Sequence, residues 1–226
     1  MRKFVAVAAV ALLSLTLAGV AFAAFTQTSN ITLTAQKAGQ TTGIKANVSS
    51  SDPSVPQPKA AKLLVVTFPG KTKFNLTSPL VTACKLSDTQ LASGAACPSK
   101  SLIGSGSALA NAYPLLSSVP AKVKAYVSGP NKIVMIATAK VLGTTMRTIL
   151  HASVSGPKLT IPVPTPVVAT IKVVLVSLKL NVPAKGSGKS ALITAGKCRA
   201  HKFVVKSHFA YADGSTFDTT NSSACS

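Results

Sequence analysis

Lys202-Phe203-Val204-Val205-Lys206-Ser207-His208-Phe209-Ala210-Tyr211-Ala212-Asp213-Gly214 is the stretch that decides the fold class. Phe203, Val205, Ser207, Phe209 and Tyr211 share one parity, and Lys206 and His208 share the other. A period of two is that of a half-buried strand, because successive side chains point to opposite faces of a sheet. Asp213-Gly214 then supplies a tight hairpin turn, so a second strand is expected to return alongside the first.

The same alternation recurs along the chain, and long helical periodicity is missing. Ile31-Thr32-Leu33-Thr34-Ala35 alternates, as do Ile44, Ala46 and Val48. Ser51 to Lys59 carries Pro53, Pro56 and Pro58 and reads as a loop. Lys62 to Phe68 is apolar on both faces, which predicts a central strand. In Ser101 to Ala108 the even-numbered face holds Gly104, Gly106 and Ala108 beyond Leu102, so another backbone is expected to approach it closely. Val127-Ser128-Gly129-Pro130 and Val154-Ser155-Gly156-Pro157 mark two similar hairpins. The prolines from Pro162 to Pro166 suit an edge or crossover, a long strand is expected over 167–182, and 184–190 forms a turn. One helical signal stands out. Ser87-Asp88-Thr89-Gln90 is a capping box and Gly94 closes the turn, predicting a short helix over residues 88–92. Many short strands and one brief helix predict an antiparallel β-sandwich.

The first residues place Arg2 and Lys3 before an uncharged apolar run from Phe4 to Leu17, followed by Ala21-Phe22-Ala23. This is the pattern of a secretory signal peptide cleaved after Ala23, leaving residues 24–226 as a single exported domain. The competing reading is an uncleaved N-terminal anchor, since the uncharged stretch extends to Phe25. No later segment is long and apolar enough to predict a membrane span. The chain carries a formal charge of +20, which becomes +18 once Arg2 and Lys3 leave, and it contains no Glu. Such a charge attracts polyanions: acidic surface polymers, anionic lipid, or nucleic acid if encountered.

Cys84, Cys97, Cys198 and Cys225 are the only cysteines. In an exported chain an even number reads as disulfides, and four cysteines allow three connectivities. About a hundred residues separate the two pairs, which favours the local solution, Cys84–Cys97 with Cys198–Cys225. The spacing lacks the Cys-x-x-Cys of a zinc site.

Two groups of residues then resemble a group of uncharacterised secreted bacterial β-sandwich proteins. The first runs Phe68-Pro69-Gly70-Lys71-Thr72-Lys73-Phe74-Asn75, then Cys84, Cys97-Pro98 and Ile103-Gly104-Ser105-Gly106-Ser107-Ala108. The second is Gly196-Lys197-Cys198, with Phe209-Ala210-Tyr211-Ala212-Asp213-Gly214 and Cys225. The resemblance implies export and a β-sandwich with two disulfides. It implies no activity.

General acid–base chemistry needs placed carboxylates or His. The four Asp have structural explanations: Asp52 before Pro53, Asp88 in the first helical turn, Asp213 in the Asp-Gly turn, Asp218 on the returning strand. His151, His201 and His208 show no repeated ligand spacing, although a hairpin would let His201 and His208 approach each other or Asp218. Asp213, Asp218 and Asn221 lack the density of a calcium loop. Gly188-Lys189-Ser190 imitates the end of a phosphate loop, but Pro183 stands where its first Gly belongs. No catalytic, cofactor or metal residue is therefore assigned.

Lysine is the remaining signal. Lys71/Lys73 and Lys122/Lys124 are spaced to share strand faces and are the candidate polyanion contacts. Specific nucleic-acid recognition fits worse, because aromatic residues make up 5% of the chain and few bases would find a stacking partner. Asn30, Asn47, Asn75 and Asn221 begin glycosylation sequons. The expected role is a non-enzymatic secreted or envelope-associated protein that engages anionic cell-surface polymer or another envelope protein. The alternatives are a secreted hydrolase with a Ser/His site outside known motifs, or a partner-binding module of a surface assembly.

Overall fold

The computed structural model describes residues 25–226 except 53, 56, 142, 166, 169 and 170, with backbone alone at 167–168 and 171–172. The expected leader, Pro53 and Pro56 of the proline loop, and Pro166 lie outside the described residues. The strands are β1 (Thr26–Leu33), β2 (Ile44–Ser51), β3 (Ala61–Thr67), β4 (Lys73–Phe74), β5 (Leu102–Ala112), β6 (Leu116–Gly129), β7 (Lys132–Val141) and β8 (Thr144–Ser155). They continue with β9 (Lys158–Pro162), β10 (Val167–Val168), β11 (Ile171–Lys172), β12 (Val174–Val182), β13 (Ile193–Thr194), β14 (Lys202–Tyr211) and β15 (Thr216–Ala224). The helix α1 (Asp88–Ala92) has the anticipated bounds. Its Ser87 hydroxyl accepts from the Gln90 amide at 3.3 Å and the Gln90 side chain accepts from the Ser87 amide at 2.9 Å.

The protein is all-β. One antiparallel sheet of eleven strands runs β1-β2-β12-β5-β6-β7-β8-β9-β3-β14-β15. It curls until its two ends face each other, so the layers that pack together belong to one sheet. Ile31 and Leu33 of β1 join Val66 of β3 and Phe203 and Val205 of β14 in the main core. All five residues assigned to the apolar face of β14 are buried. With eleven antiparallel strands, β1 and β15 run in the same direction and cannot extend the antiparallel ladder across the gap. Side chains join the ends instead. The Tyr211 hydroxyl donates to Gln27 Oε1 at 2.9 Å, Ser29 Oγ donates to Ser207 Oγ at 3.3 Å, and Phe25 meets Tyr211 edge to face. On β15, Thr219 Oγ1, Asn221 Nδ2 and Ser223 Oγ are buried without a hydrogen-bond partner.

Burial, aided by the negative charge of Asp213, pushes the Tyr211 phenol up to about 12 from 10.0. The folded state thus holds this proton more tightly than the unfolded chain. Its contribution is complete below pH 10 and is lost as pH rises towards 12. Tyr211→Phe is expected to cost about 1 kcal/mol at neutral pH through the lost hydrogen bond. It should also flatten part of the alkaline loss of stability. Denaturant midpoints of both proteins from neutral pH to pH 12 would check this, and parallel pH curves would contradict it.

The middle of the sheet is covered on both sides. Ala125, Val127, Ile133 and Met135 face the main core, whereas Tyr126, Val134 and Ile136 pack outward against Leu91 of α1, Cys84 and Cys97. The Cys84–Cys97 disulfide closes this outer flap, and Cys198–Cys225 joins the segment before β14 to the end of β15. Two disulfides with no free cysteine indicate an oxidising, extracytoplasmic environment. Among the described residues no helix is long and apolar enough to cross a membrane.

The small face of β5 does receive a neighbouring backbone. A Cβ on Gly106 would lie 1.9 Å from the Lys179 carbonyl oxygen, and one on Gly104 3.0 Å from that of Asn181. One sequence expectation needs correction. The long strand over 167–182 is broken, because β10 and β11 pair with each other and only β12 enters the large sheet. Val167 to Thr170 contains no Gly, Asn, Asp or Pro to mark the reversal.

Candidate functional site: a lysine cleft

The site begins with a tight turn after β3. The Thr72 amide and hydroxyl both donate to the Pro69 carbonyl, at 3.0 and 2.6 Å. Lys71 adopts a left-handed conformation with φ 69°, which turns it off the line of β3. Gly196 docks against this turn. A Cβ there would sit 2.4 Å from the carbonyl oxygens of both Pro69 and Gly70, so only glycine allows the approach. The Lys197 amide then donates to the Gly70 carbonyl at 2.7 Å. These are the two segments that carry the sequence resemblance, and they meet here.

Next, β4 pairs with β13, placing Lys73 opposite Thr194 and Phe74 opposite Ile193. Asn75 extends the junction, its Nδ2 donating to the Lys189 carbonyl at 3.0 Å. Lys71, Lys73, Lys189 and Lys197 consequently line one open cleft of about 910 Å³, together with Asn75, Asn131 and Thr194. No Asp or Glu is among its lining residues. All four lysines are exposed. Among the described residues, the one lysine–carboxylate ion pair is Lys59–Asp213 at 2.8 Å, outside this cleft. Like charges around a concavity focus the field and raise the local concentration of counter-ions.

Lys71 and Lys73 share this cleft rather than a strand face, since Lys71 sits in the turn. Lys189 comes from the sequence that imitates a phosphate loop. Gly188–Ser190 forms a single 3-10 turn, not the helix N-terminus that such a loop requires.

Lys122 and Lys124 lie elsewhere, on the outer face of β6. Lys122 pairs with Ser107, which pairs with Lys179, and Lys124 pairs with Ser105, then Asn181, then Lys45. Neighbouring strands lie about 4.8 Å apart, so Lys122 and Lys179 are roughly 10 Å from each other. This second basic surface is flat. Asn30 and Asn47 face each other across β1 and β2 on the same side, whereas Asn75 is tied into the cleft and Asn221 is half-buried.

The remaining polar candidates do not converge. His208 Nδ1 meets Asp218 Oδ1 at 2.9 Å across the β14–β15 hairpin, and His201 is not part of that contact. His151 Nε2 meets Asp88 at 2.9 and 3.0 Å, linking β8 to α1. Both pairs are exposed and neither carries a hydrogen-bonded serine. Asp52 accepts from the Ser54 amide at 3.0 Å and from its hydroxyl, and Asp213 accepts from the Ser215 amide at 2.9 Å, as turn residues do. Hydrogen bonds from Lys59 and Ser215 hold the Asp213 carboxyl well below the usual carboxylate range. Among the described residues no group of three His, Cys, Asp or Glu is placed to hold a metal ion.

No family model matches the chain, and no curated protein or solved structure is significantly similar to it.

Proposed function

We propose that this is an exported, non-enzymatic β-protein that docks on anionic cell-surface polymer through the cleft formed by Lys71, Lys73, Lys189 and Lys197. One observation carries the reading. Four lysines from two chain regions, Lys71 and Lys73 in one and Lys189 and Lys197 in the other, line one concavity with no carboxylate among its described lining residues. The formal charge, +18 once Arg2 and Lys3 leave, supplies long-range attraction, and the cleft supplies the place where an anionic chain would settle. The two disulfides fit a life outside the cytosol, at the envelope or in the medium.

Purified teichoic acid at low ionic strength is the direct probe. A basic residue near an anionic surface contributes about 1 kcal/mol, so replacing all four cleft lysines by Gln should weaken binding by roughly a hundredfold or more. Replacing Lys45, Lys122, Lys124 and Lys179 by Gln removes the same charge from the flat outer face and should cost much less. Equal losses in the two variants would mean that net charge alone drives binding, which sinks the cleft proposal. A salt wash of fractionated cells should release the protein, because added ions screen exposed charges.

A further inference from the structure

A second concavity lies between the inner faces of β5, β6, β7, β8 and β12, lined by none of the residues of the lysine cleft. Strand lengths create it. The pairing of β8 with β9 starts at Ser153, whereas its pairing with β7 runs out to Thr144. The β5–β6 and β7–β8 hairpins therefore project beyond the part of the sheet that packs on the main core. On the projecting inner face the side chains are small: Ala108, Ala110 and Ala112 of β5, Ala121 of β6, and Ala137 and Ala139 of β7. They leave a cavity of about 180 Å³.

The described lining is aliphatic apart from Met146, Arg147 and Thr148, and contains no aromatic ring. Arg147, the one charged residue among the described lining residues, is engaged elsewhere, donating from Nη1 to the Leu91 and Ala95 carbonyls at the end of α1. Among the described residues the interior thus offers no free counter-charge to an ionic ligand. Exposed apolar side chains stand at the β5–β6 turn. Leu115 lines the cavity and is 54% exposed, and Tyr113 beside it is 49% exposed. An apolar cavity of about 150 Å³, lined by Leu, Ile and Phe, stays dry and binds benzene. A cavity of about 180 Å³ accordingly suits a short length of hydrocarbon chain and is too small for a helix about 10 Å across.

We infer that this cavity binds the end of a single uncharged aliphatic chain, such as a lipid acyl tail, which enters past Leu115 and Tyr113. The test uses 1-decanol, whose neutral head gives the lysine cleft nothing to attract. Titration of the full chain, followed by NMR of the alanine methyl groups, should show saturable shifts at Ala121, Ala137 and Ala139. Ala110→Leu and Ala137→Leu, made separately, fill the space and should each weaken binding more than tenfold without lowering the melting temperature. A variant with the four cleft lysines replaced by Gln should bind decanol as the native protein does. Absence of saturable shifts, shifts confined to the lysine cleft, or unchanged binding in both filled variants would overturn the inference. The native titration decides the matter even if a filled variant fails to fold.

Discussion

Reduction of both disulfides is expected to lower the stability of the fold by about 6.5 kcal/mol. In the chain-entropy model, a closed loop of 13 residues, as for Cys84–Cys97, contributes about 3 kcal/mol. The Cys198–Cys225 loop of 27 residues contributes about 3.5 kcal/mol. An ordinary domain has a net stability of about 5–15 kcal/mol, so the reduced chain should be marginal or unfolded. The two clips act in different places. Replacing Cys84 and Cys97 by Ser frees the outer flap, which loses the tether holding Leu91 over Tyr126, Val134 and Ile136. Replacing Cys198 and Cys225 by Ser loosens the β14–β15 edge. Urea unfolding of the native protein, of each double variant and of the reduced protein measures the three losses. If full reduction costs less than the value expected for one clip, the two disulfides do not serve as the main staples.

Truncation of Phe203 should be the most costly single side-chain change among the core positions of β14. It is 0% exposed and belongs to the main core, with Val205 two residues on along the same buried face. Removing a buried Phe side chain loses its transfer free energy and leaves a void, together about 3–5 kcal/mol. Val204 is the control, because it is the next residue along the same strand but faces the opposite way and is partly exposed. Val204→Ala should change stability by no more than about 0.5 kcal/mol. The comparison therefore tests strand parity as well as packing. A Phe203→Ala cost below about 1 kcal/mol would mean that the curled sheet closes on some other set of contacts.

What was legible in the sequence is what local chemistry encodes. The period of two in β14 identified its buried face residue by residue, because strand side chains alternate whatever the neighbouring strand. The reciprocal Ser87/Gln90 pattern located α1, since a capping box is completed within four residues. The short separations within each cysteine pair indicated the connectivity. Cross-strand register was not legible. Lys189 and Lys197 join Lys71 and Lys73 through the β4–β13 pairing, the Asn75 bond to the Lys189 carbonyl, and Gly196, where a Cβ would lie 2.4 Å from the Pro69 and Gly70 carbonyl oxygens. Lys45 and Lys179 join Lys122 and Lys124 through pairings between segments remote in sequence. The His151–Asp88 contact spans 63 positions and has no local signature. The reversal between β10 and β11 escaped for another reason, since uniformly β-favouring residues such as Val167, Val168 and Ile171 suit either a continuous strand or a hairpin.

The link between Cys198 and Cys225 has a consequence for proteolysis. The backbone from one cysteine to the other, closed by their sulfur atoms, is a covalent ring that contains the whole β14–β15 hairpin. The bend between the two strands is the exposed Asp213-Gly214 turn. A protease that cuts there opens the ring but releases no fragment. Both new ends stay tethered through the sulfur bridge, and the nine register pairs between the strands are left in place. A nicked molecule should migrate as one chain until it is reduced, and this outermost hairpin should outlast a cut that would strip an ordinary edge strand from its sheet.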